Sequence, residues 1–397
     1  MNVTTAAPVL NARGFSEDQI FFREAYRTFL ADEIQPHMEQ WRKDGIVDRS
    51  AFKKAGDMGF LMIWPDEQYG GLGDADFRYE QIIIEETLRA GCLDWFNTLH
   101  SRLVGPYFQK LGTPEQKAKF LTGAASGDII LAVAMSEPDA GSDLSGMRST
   151  LEDQGDHYLL NGNKTYISNG INADAIVVAA KTVGADSKHA MTLCVVERGM
   201  EGFKRGANLS KLGLKGQDTA ELFFDNVKIP KENILGEPGQ GFYYLMDGLA
   251  EERLIVACQS AAHARHGFNI TRDFVMERKA FGKSISQFQN TQFKMAEMDA
   301  ELEMLEVYID HCVQLNNKKA LTANAGAKVK LLASELENRM MDLGVQLHGG
   351  AGYMNEYEIS RMFADARVSR VYAGTSEIMK LIIGRDVFSD GYKSILD

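Results

Sequence analysis

The pattern of this chain predicts an α+β protein in the order helices, β domain, helices, and three observations carry that reading. Apolar residues recur at helix-face spacing from Ser16 to about Gly123. Short β-rich runs broken by turn residues take over near Ile129. After Pro238 the helical period returns and holds almost to the end. The expected units are an N-terminal helical domain over 1–128, a central β domain over 129–237 and a C-terminal helical domain over 238–397. A chain of 397 residues carries two to three domains at about 150 residues each, which excludes a single small binding module.

Each element has its own signal. Ser16 and Gln19 form a capping box, followed by Ile20, Phe21, Ala25 and Phe29 on one helical face, and Pro36 ends or kinks that helix. Ile82 to Leu88 and the segment around Leu99, Leu103 and Phe108 give further helices, separated from the first by the loop Pro65 to Gly73. Expected strands are Ile130–Met135, His157–Leu160, Thr165–Ser168, Ala175–Lys181, Met191–Glu197 and Ala220–Asp225, with Asn161-Gly162 as a hairpin turn because both residues tolerate positive φ. The last third carries a stripe of Val329, Leu332, Leu336, Met340, Leu343 and Leu347 that Gly349-Gly350 stops.

Composition narrows the function classes. With 45% hydrophobic and 25% charged residues the chain has a globular balance, so disorder and fibrous repeats are excluded. Lys+Arg 43 against Asp+Glu 55 leaves a net charge of -12, which repels nucleic acid on average while allowing a local basic groove for a phosphate-bearing ligand. Cys92, Cys194, Cys258 and Cys312 form no CxxC and no pairing pattern, as expected in a reducing compartment. No run approaches the length of a membrane span. The stretch from Met1 to Gly14 lacks the apolar core of a signal peptide and the arginines of a mitochondrial presequence, so the expectation is a soluble, cytoplasmic protein.

Several familiar motifs fail. Asp76 stands where the third glycine after Gly71-Leu72-Gly73 would complete a dinucleotide fingerprint, and Glu277 where a phosphate-binding loop ending in Gly282-Lys283-Ser284 would begin with glycine. No serine has a Gly-x-Ser-x-Gly setting. His263 and His266 have helical i, i+3 spacing but lack the further ligands a metal needs, so no metal site is expected.

The segment Met135-Ser136-Glu137-Pro138-Asp139-Ala140-Gly141-Ser142-Asp143 ends a strand with hydroxyls, a proline and a glycine, a turn able to present donors to an anion or a polar ring edge. It stands in order with Trp64-Pro65 leading to Tyr69-Gly70-Gly71, with Tyr166-Ile167-Ser168-Asn169-Gly170, and with Arg278-Lys279-Ala280-Phe281-Gly282-Lys283. Gln346-Leu347-His348-Gly349-Gly350-Ala351-Gly352-Tyr353 and Gly374-Thr375-Ser376-Glu377-Ile378 follow. Together these segments, from Trp64 to Arg385, resemble the acyl-CoA dehydrogenase family. The resemblance implies a central domain that is β-barrel-like, a C-terminal four-helix bundle, and FAD between the two. It also implies an acyl-CoA substrate, an electron-transfer flavoprotein as acceptor, a role in fatty acid β-oxidation, and a homodimer that commonly pairs into a homotetramer.

By that resemblance Met135 and Ser136 face the flavin, while Tyr166, Ile167 and Ser168 border it; many members carry tryptophan in place of Tyr166. Ser142 would touch the CoA portion and stand near the cofactor. Arg278, Phe281 and Gln289, with Gln346, Gly349 and Gly350, would bind the FAD of the neighbouring subunit, and Thr375 and Glu377 the adenosine side of FAD. An arginine suits a pyrophosphate, and paired glycines allow close backbone approach. Arg278 read alone is equally a surface charge, and Gly349-Gly350 a helix C-cap.

The implied chemistry needs a carboxylate base for an α-proton. One part of the family places it immediately before Gly-Thr, but here Ala373 occupies that position. The long-chain and isovaleryl types carry it before an arginine on an earlier helix, which in Glu251-Glu252-Arg253 selects Glu252. Leu245, Leu249, Glu252 and Val256 share one helical face, so Glu252 points along an apolar stripe, where burial raises a carboxyl toward neutrality. Glu251, with Asp247 at i-4, reads as the solvated one. The alternative for Glu252 is an ion pair across the bundle, and for Arg253 a structural pair near a subunit contact. By resemblance the Ala373 backbone N–H binds the thioester oxygen, with Arg253 and Gly374 at the substrate. The expected reaction makes a trans-2-enoyl-CoA from a medium-chain, long-chain or branched acyl group, terpenoid chains included. Two rivals are an oxygen-using oxidase of the same fold and a catalytically silent acyl-CoA/FAD-binding paralogue, the latter favoured if Ala373 marks lost function.

Overall fold

The Ser16 hydroxyl accepts the Gln19 N–H while the Gln19 side chain accepts the Ser16 N–H, and this capping box starts helix α1 (Glu17–Phe29). The computed structural model describes residues 13–394 apart from Asp186 and Lys188, so nearly all of the Met1–Gly14 stretch considered above lies outside the described residues. At Pro36 the helix does not end but bends, through a π turn (Leu30–Ile34) and a 3-10 turn (Gln35–His37), into α2 (Met38–Asp44). Helix α3 (Arg49–Asp57) follows, and then the expected loop, in which a Cβ at Gly71 would lie 2.0 Å from the Pro65 carbonyl oxygen. Helix α4 (Phe77–Arg89) is buried on most sides, with Arg23 closing on Glu86 at 2.7 Å. A π segment (Leu99–Val104) then feeds α5 (Gly105–Leu111).

The middle third is one eight-stranded sheet. Its strands are β1 (Leu131–Ala134), β2 (Thr150–Asp153), β3 (His157–Ser168), β4 (Ala175–Thr182), β5 (Met191–Glu197), β6 (Phe203–Asn208), β7 (Thr219–Pro230) and β8 (Ile234–Leu235). The order is β6-β7-β3-β2-β4-β5-β8, with β1 parallel to β4, and the sheet is open, not closed as a barrel. Asn161-Gly162 makes no hairpin. The two runs expected on either side of it are one strand, in which Asn161 pairs with Thr150 and Gly162 with Phe224 across a bulge. Strands β2, β6 and β8 carry too little apolar alternation to be read from sequence.

The helices that follow the sheet are α6 (Gly241–Glu277), α7 (Gln289–Asn317), α8 (Ala323–His348), α9 (Glu358–Ala366) and α10 (Ser376–Val387). Helices α6, α7 and α8 share a core of Leu254, Ile255, Leu302, Leu305, Val329, Leu336 and Met340, into which Phe77 and Ile84 of α4 insert. Leu332, expected in the core stripe, is exposed, because the true face runs through Gly326, Lys330 and Ala333. His100 joins the helical and β units, accepting the Leu131 N–H at 3.1 Å. Among the described residues no helix is long and apolar enough to cross a membrane.

Candidate active site

The site begins with the turn after β1. Lys164 of β3 is fully buried, and its Nζ lies 3.0 Å from the Met135 carbonyl oxygen and 2.9 Å from Glu137 Oε1. Burial pushes the Glu137 carboxyl up, but bonds from Ser149, Lys164 and the Arg148 N–H outweigh it and hold the group below its ordinary range. This buried pair fixes the half-buried Met135 and Ser136, and the Thr165 N–H donates to the Ser136 carbonyl at 3.0 Å. Tyr166 follows with φ of 59°, which turns its ring outward to 72% exposure. Ser168 is half-buried beside it. Ile167 points the other way, into the sheet core, so only its backbone borders the surface. Ser142 is exposed on the turn itself.

Glu252 sits on α6 in a partly open position ringed by protein. Its Oε1 accepts the Tyr107 hydroxyl at 3.2 Å, and no basic residue pairs with it among the described residues. Burial pushes its carboxyl up to about 7; the Tyr107 bond and then Arg253 pull the other way without overcoming it. Gly248, one turn earlier, leaves room for this carboxylate: a Cβ there would lie 3.0 Å from Oε1. Glu251 is not the solvated residue its neighbours suggest. Arg102 Nε reaches its Oε1 at 2.9 Å and Asn316 donates to its Oε2 at 2.8 Å, both from elements far away in sequence. Arg253 is buried with its Nε unpartnered and forms no ion pair within the chain among the described residues.

The turn before α10 comes to the same place through α8. Helices α6 and α8 touch closely enough that a Cβ on Gly326 would lie 3.0 Å from the Ala250 carbonyl oxygen. One turn on, Lys330 donates to the Gly374 carbonyl at 2.8 Å. Ala373 and Gly374 both have positive φ, 51° and 92°, and Thr375 then caps α10 by accepting the Ile378 N–H. Glu377 is exposed on the first turn of that helix.

A second group lies at the far end of α6. The stacked rings of Phe274 and His348, 4.1 Å apart, bring the end of α6 beside the end of α8. Arg278, Gln346, Gly349 and Gly350 are exposed there, and Gln289 is exposed at the start of α7. The Arg278 side chain has no partner among the described residues, a Cβ on Gly349 or Gly350 would meet nothing within 4 Å, and Phe281 is 97% exposed. An unpaired guanidinium, bare backbone and a free aromatic face suit a pyrophosphate joined to flat rings. His263 and His266, by contrast, are each bonded to one carboxylate, Glu337 at 2.7 Å and Glu358 at 2.9 Å.

Tyr107, Lys164 with Glu137, and Lys330 are the site residues that sequence reasoning missed. A polar residue on an otherwise small-residue helical face was the available signal for Lys330. Tyr107 had none, because its partner is distant in the chain.

Three family descriptions match in chain order: acyl-CoA dehydrogenase, N-terminal domain, over residues 16–128; middle domain, over 132–227; and C-terminal domain, over 239–388. The chain belongs to the acyl-CoA dehydrogenase family. It is 42% identical over 380 residues to the long-chain specific acyl-CoA dehydrogenase of Sus scrofa mitochondria, covering 95% of this chain and 88% of the relative. It is 36% identical to the mitochondrial isovaleryl-CoA dehydrogenase of Solanum tuberosum, covering 95% and 92%. The crystal structure of an acyl-CoA dehydrogenase from Geobacillus kaustophilus, 45% identical, superposes with a TM-score of 0.92 over 95% of this chain and 100% of that one. A glutaryl-CoA dehydrogenase from Mycobacterium smegmatis in complex with FADH2, 26% identical, does so at 0.87 over 96% and 97%. Membership makes the chain an oxidoreductase; in the structure the Glu252 helix and the Ala373 turn are joined through α8, while the Arg278 group lies at the far end of α6.

Proposed function

We propose that this protein is an FAD-dependent acyl-CoA dehydrogenase that converts an acyl-CoA thioester to the trans-2-enoyl-CoA, with Glu252 as the base. The observation that carries the reading is the Glu252 carboxylate. It is partly open, held by Tyr107, and its affinity for a proton is lifted to about 7, which suits a base working near neutrality. Glu252 takes the α-proton, and the Ala373 N–H, presented by a left-handed turn, stabilises negative charge developing on the thioester oxygen. Bound FAD supplies the ring that accepts the hydride leaving the β-carbon. Met135, Ser136, Tyr166, Ser168 and the Ile167 backbone would line that ring, with Thr375 and Glu377 toward the adenosine; Ser142 would meet the CoA portion. Arg253 and Gly374 border the acyl thioester.

The Arg278 group follows Glu252 by roughly 40 Å along a straight α6, so one dinucleotide does not serve both. That spacing supports a homodimer, and its pairing into a homotetramer, in which Arg278, Phe281, Gln289, Gln346, Gly349 and Gly350 hold the FAD of the neighbouring subunit. The position of the base favours medium-chain, long-chain or branched acyl groups, with an electron-transfer flavoprotein as acceptor and fatty acid β-oxidation as the setting. Four buried, unpaired cysteines favour a reducing compartment such as the cytoplasm.

Anaerobic titration of the yellow holoenzyme with acyl-CoAs of graded length tests this. Bleaching of the flavin at stoichiometric acyl-CoA is expected. Binding without bleaching identifies a silent paralogue and overturns the reading; stoichiometric oxygen consumption under air identifies the oxidase.

A further inference from the structure

We infer that Lys330 is a positioning residue for this reaction, clamping the Ala373–Gly374 turn so that the Ala373 N–H stays aimed at the thioester oxygen. The inference rests on the proposed role of that N–H. Lys330 is fully buried in α8, and its Nζ makes one hydrogen bond, to the Gly374 carbonyl at 2.8 Å. A buried amine is costly where a methionine would pack freely, and a single neutral acceptor recovers little of that cost. Nor does a carboxylate pair with it among the described residues. Burial first, then the Arg253 cation, lower the amine's affinity for its proton to about 8, and the weaker pull of Glu335, Glu337 and Glu377 does not offset them. Among the described residues neither of these two buried cations, Lys330 and Arg253, forms an ion pair with a carboxylate. Such an arrangement opposes folding and favours negative charge arriving with the substrate.

Geometry shows what the bond controls. Ala373 holds φ of 51°, disfavoured for a residue with a Cβ, next to Gly374 at 92°, the residue of the turn with most freedom to relax it. Lys330 holds the carbonyl of that glycine. The segment does not depend on Lys330 for attachment: Glu335 of α8 accepts Arg370 Nε at 2.9 Å and the Ser376 hydroxyl at 2.6 Å, and Asn338 reaches the Ala366 carbonyl at 3.2 Å. Removing the amine therefore frees the glycine peptide while both ends of the turn stay tied.

The experiment compares wild type, Lys330→Met and Lys330→Arg as flavin-loaded proteins binding an acyl-CoA with sulfur in place of its β-carbon and 13C at the thioester carbonyl. This ligand has no β-hydrogen to lose, so the infrared carbonyl shift reads the hydrogen bond without turnover. Wild type is expected to lower the carbonyl frequency on binding. Lys330→Met should lose most of that shift, with kcat down about 10- to 100-fold and KM changed less than about 3-fold, and Lys330→Arg should restore part of it. A full wild-type shift in Lys330→Met overturns the inference and leaves the role of Ala373 standing. No shift in wild type overturns the Ala373 reading and this inference with it. Should Lys330→Met fail to retain flavin, Lys330→Gln takes its place: a reduced shift supports the clamp, and a full one overturns it.

Discussion

Glu252 carries opposite consequences for rate and for stability, and that makes it testable at a single residue. Its carboxyl is raised from an ordinary 4.5 to about 7, so the folded protein holds a proton there that the unfolded chain has lost. Stability from this group is present below pH 4.5 and is lost as pH rises to 7, whereas activity needs the carboxylate and rises through the same window. Glu252→Gln is therefore expected to cut flavin reduction at least 10²-fold while raising the melting temperature at pH 8, read by stopped-flow absorbance and a thermal scan. A lower melting temperature would contradict a desolvated carboxylate. Tyr107 pulls the other way, since its hydroxyl favours the charged form. Tyr107→Phe should move the acid limb of kcat/KM upward by about one pH unit or less, measured across pH 5 to 9.

Among the elements, legibility followed how local the cause was. The Ser16 capping box, the bend at Pro36 and strand β5 were written in neighbouring residues and formed where expected. Asn161-Gly162 was misread because its dipeptide signal is local while its fate is not: β2 on one side and β7 on the other hold both flanks in one strand. Gly162 is still required, but for a different reason. Its φ is 138°, and a Cβ would lie 2.6 Å from the Ser149 Cα, so backbone would have to move. Gly162→Ala is expected to destabilise by about 2 kcal/mol or more, read as a lower urea midpoint at unchanged m. An unaltered midpoint would contradict the close backbone approach at Ser149. Helix α8 teaches the same lesson from the other side: its period was visible, but the core face carries Lys330 and Glu337, which a search for apolar stripes passes over.

For the molecule as a whole, the order of the three units was legible because it is set by period, and the half-buried setting of Glu252 because its helical face is apolar. The company Glu252 keeps was not, since Tyr107 and the Arg102–Glu251 pair depend on how the N-terminal unit lies on α6. What remains is the exposed end of α6, where Arg278 has no partner among the described residues and Phe281 is 97% exposed. If each complete site takes Glu252 from one subunit and Arg278 from the other, two different defects should rescue one another. Hybrids of Glu252→Gln and Arg278→Glu subunits contain one site with both lesions and one with neither. Co-expressed and purified through two tags, such hybrids should recover up to half of wild-type flavin reduction per dimer, although each homo-oligomer is inactive. A site built within one subunit leaves every hybrid site with one lesion, so absence of recovery in confirmed hybrids would place Arg278 and Glu252 at the same cofactor and remove the case for a shared one.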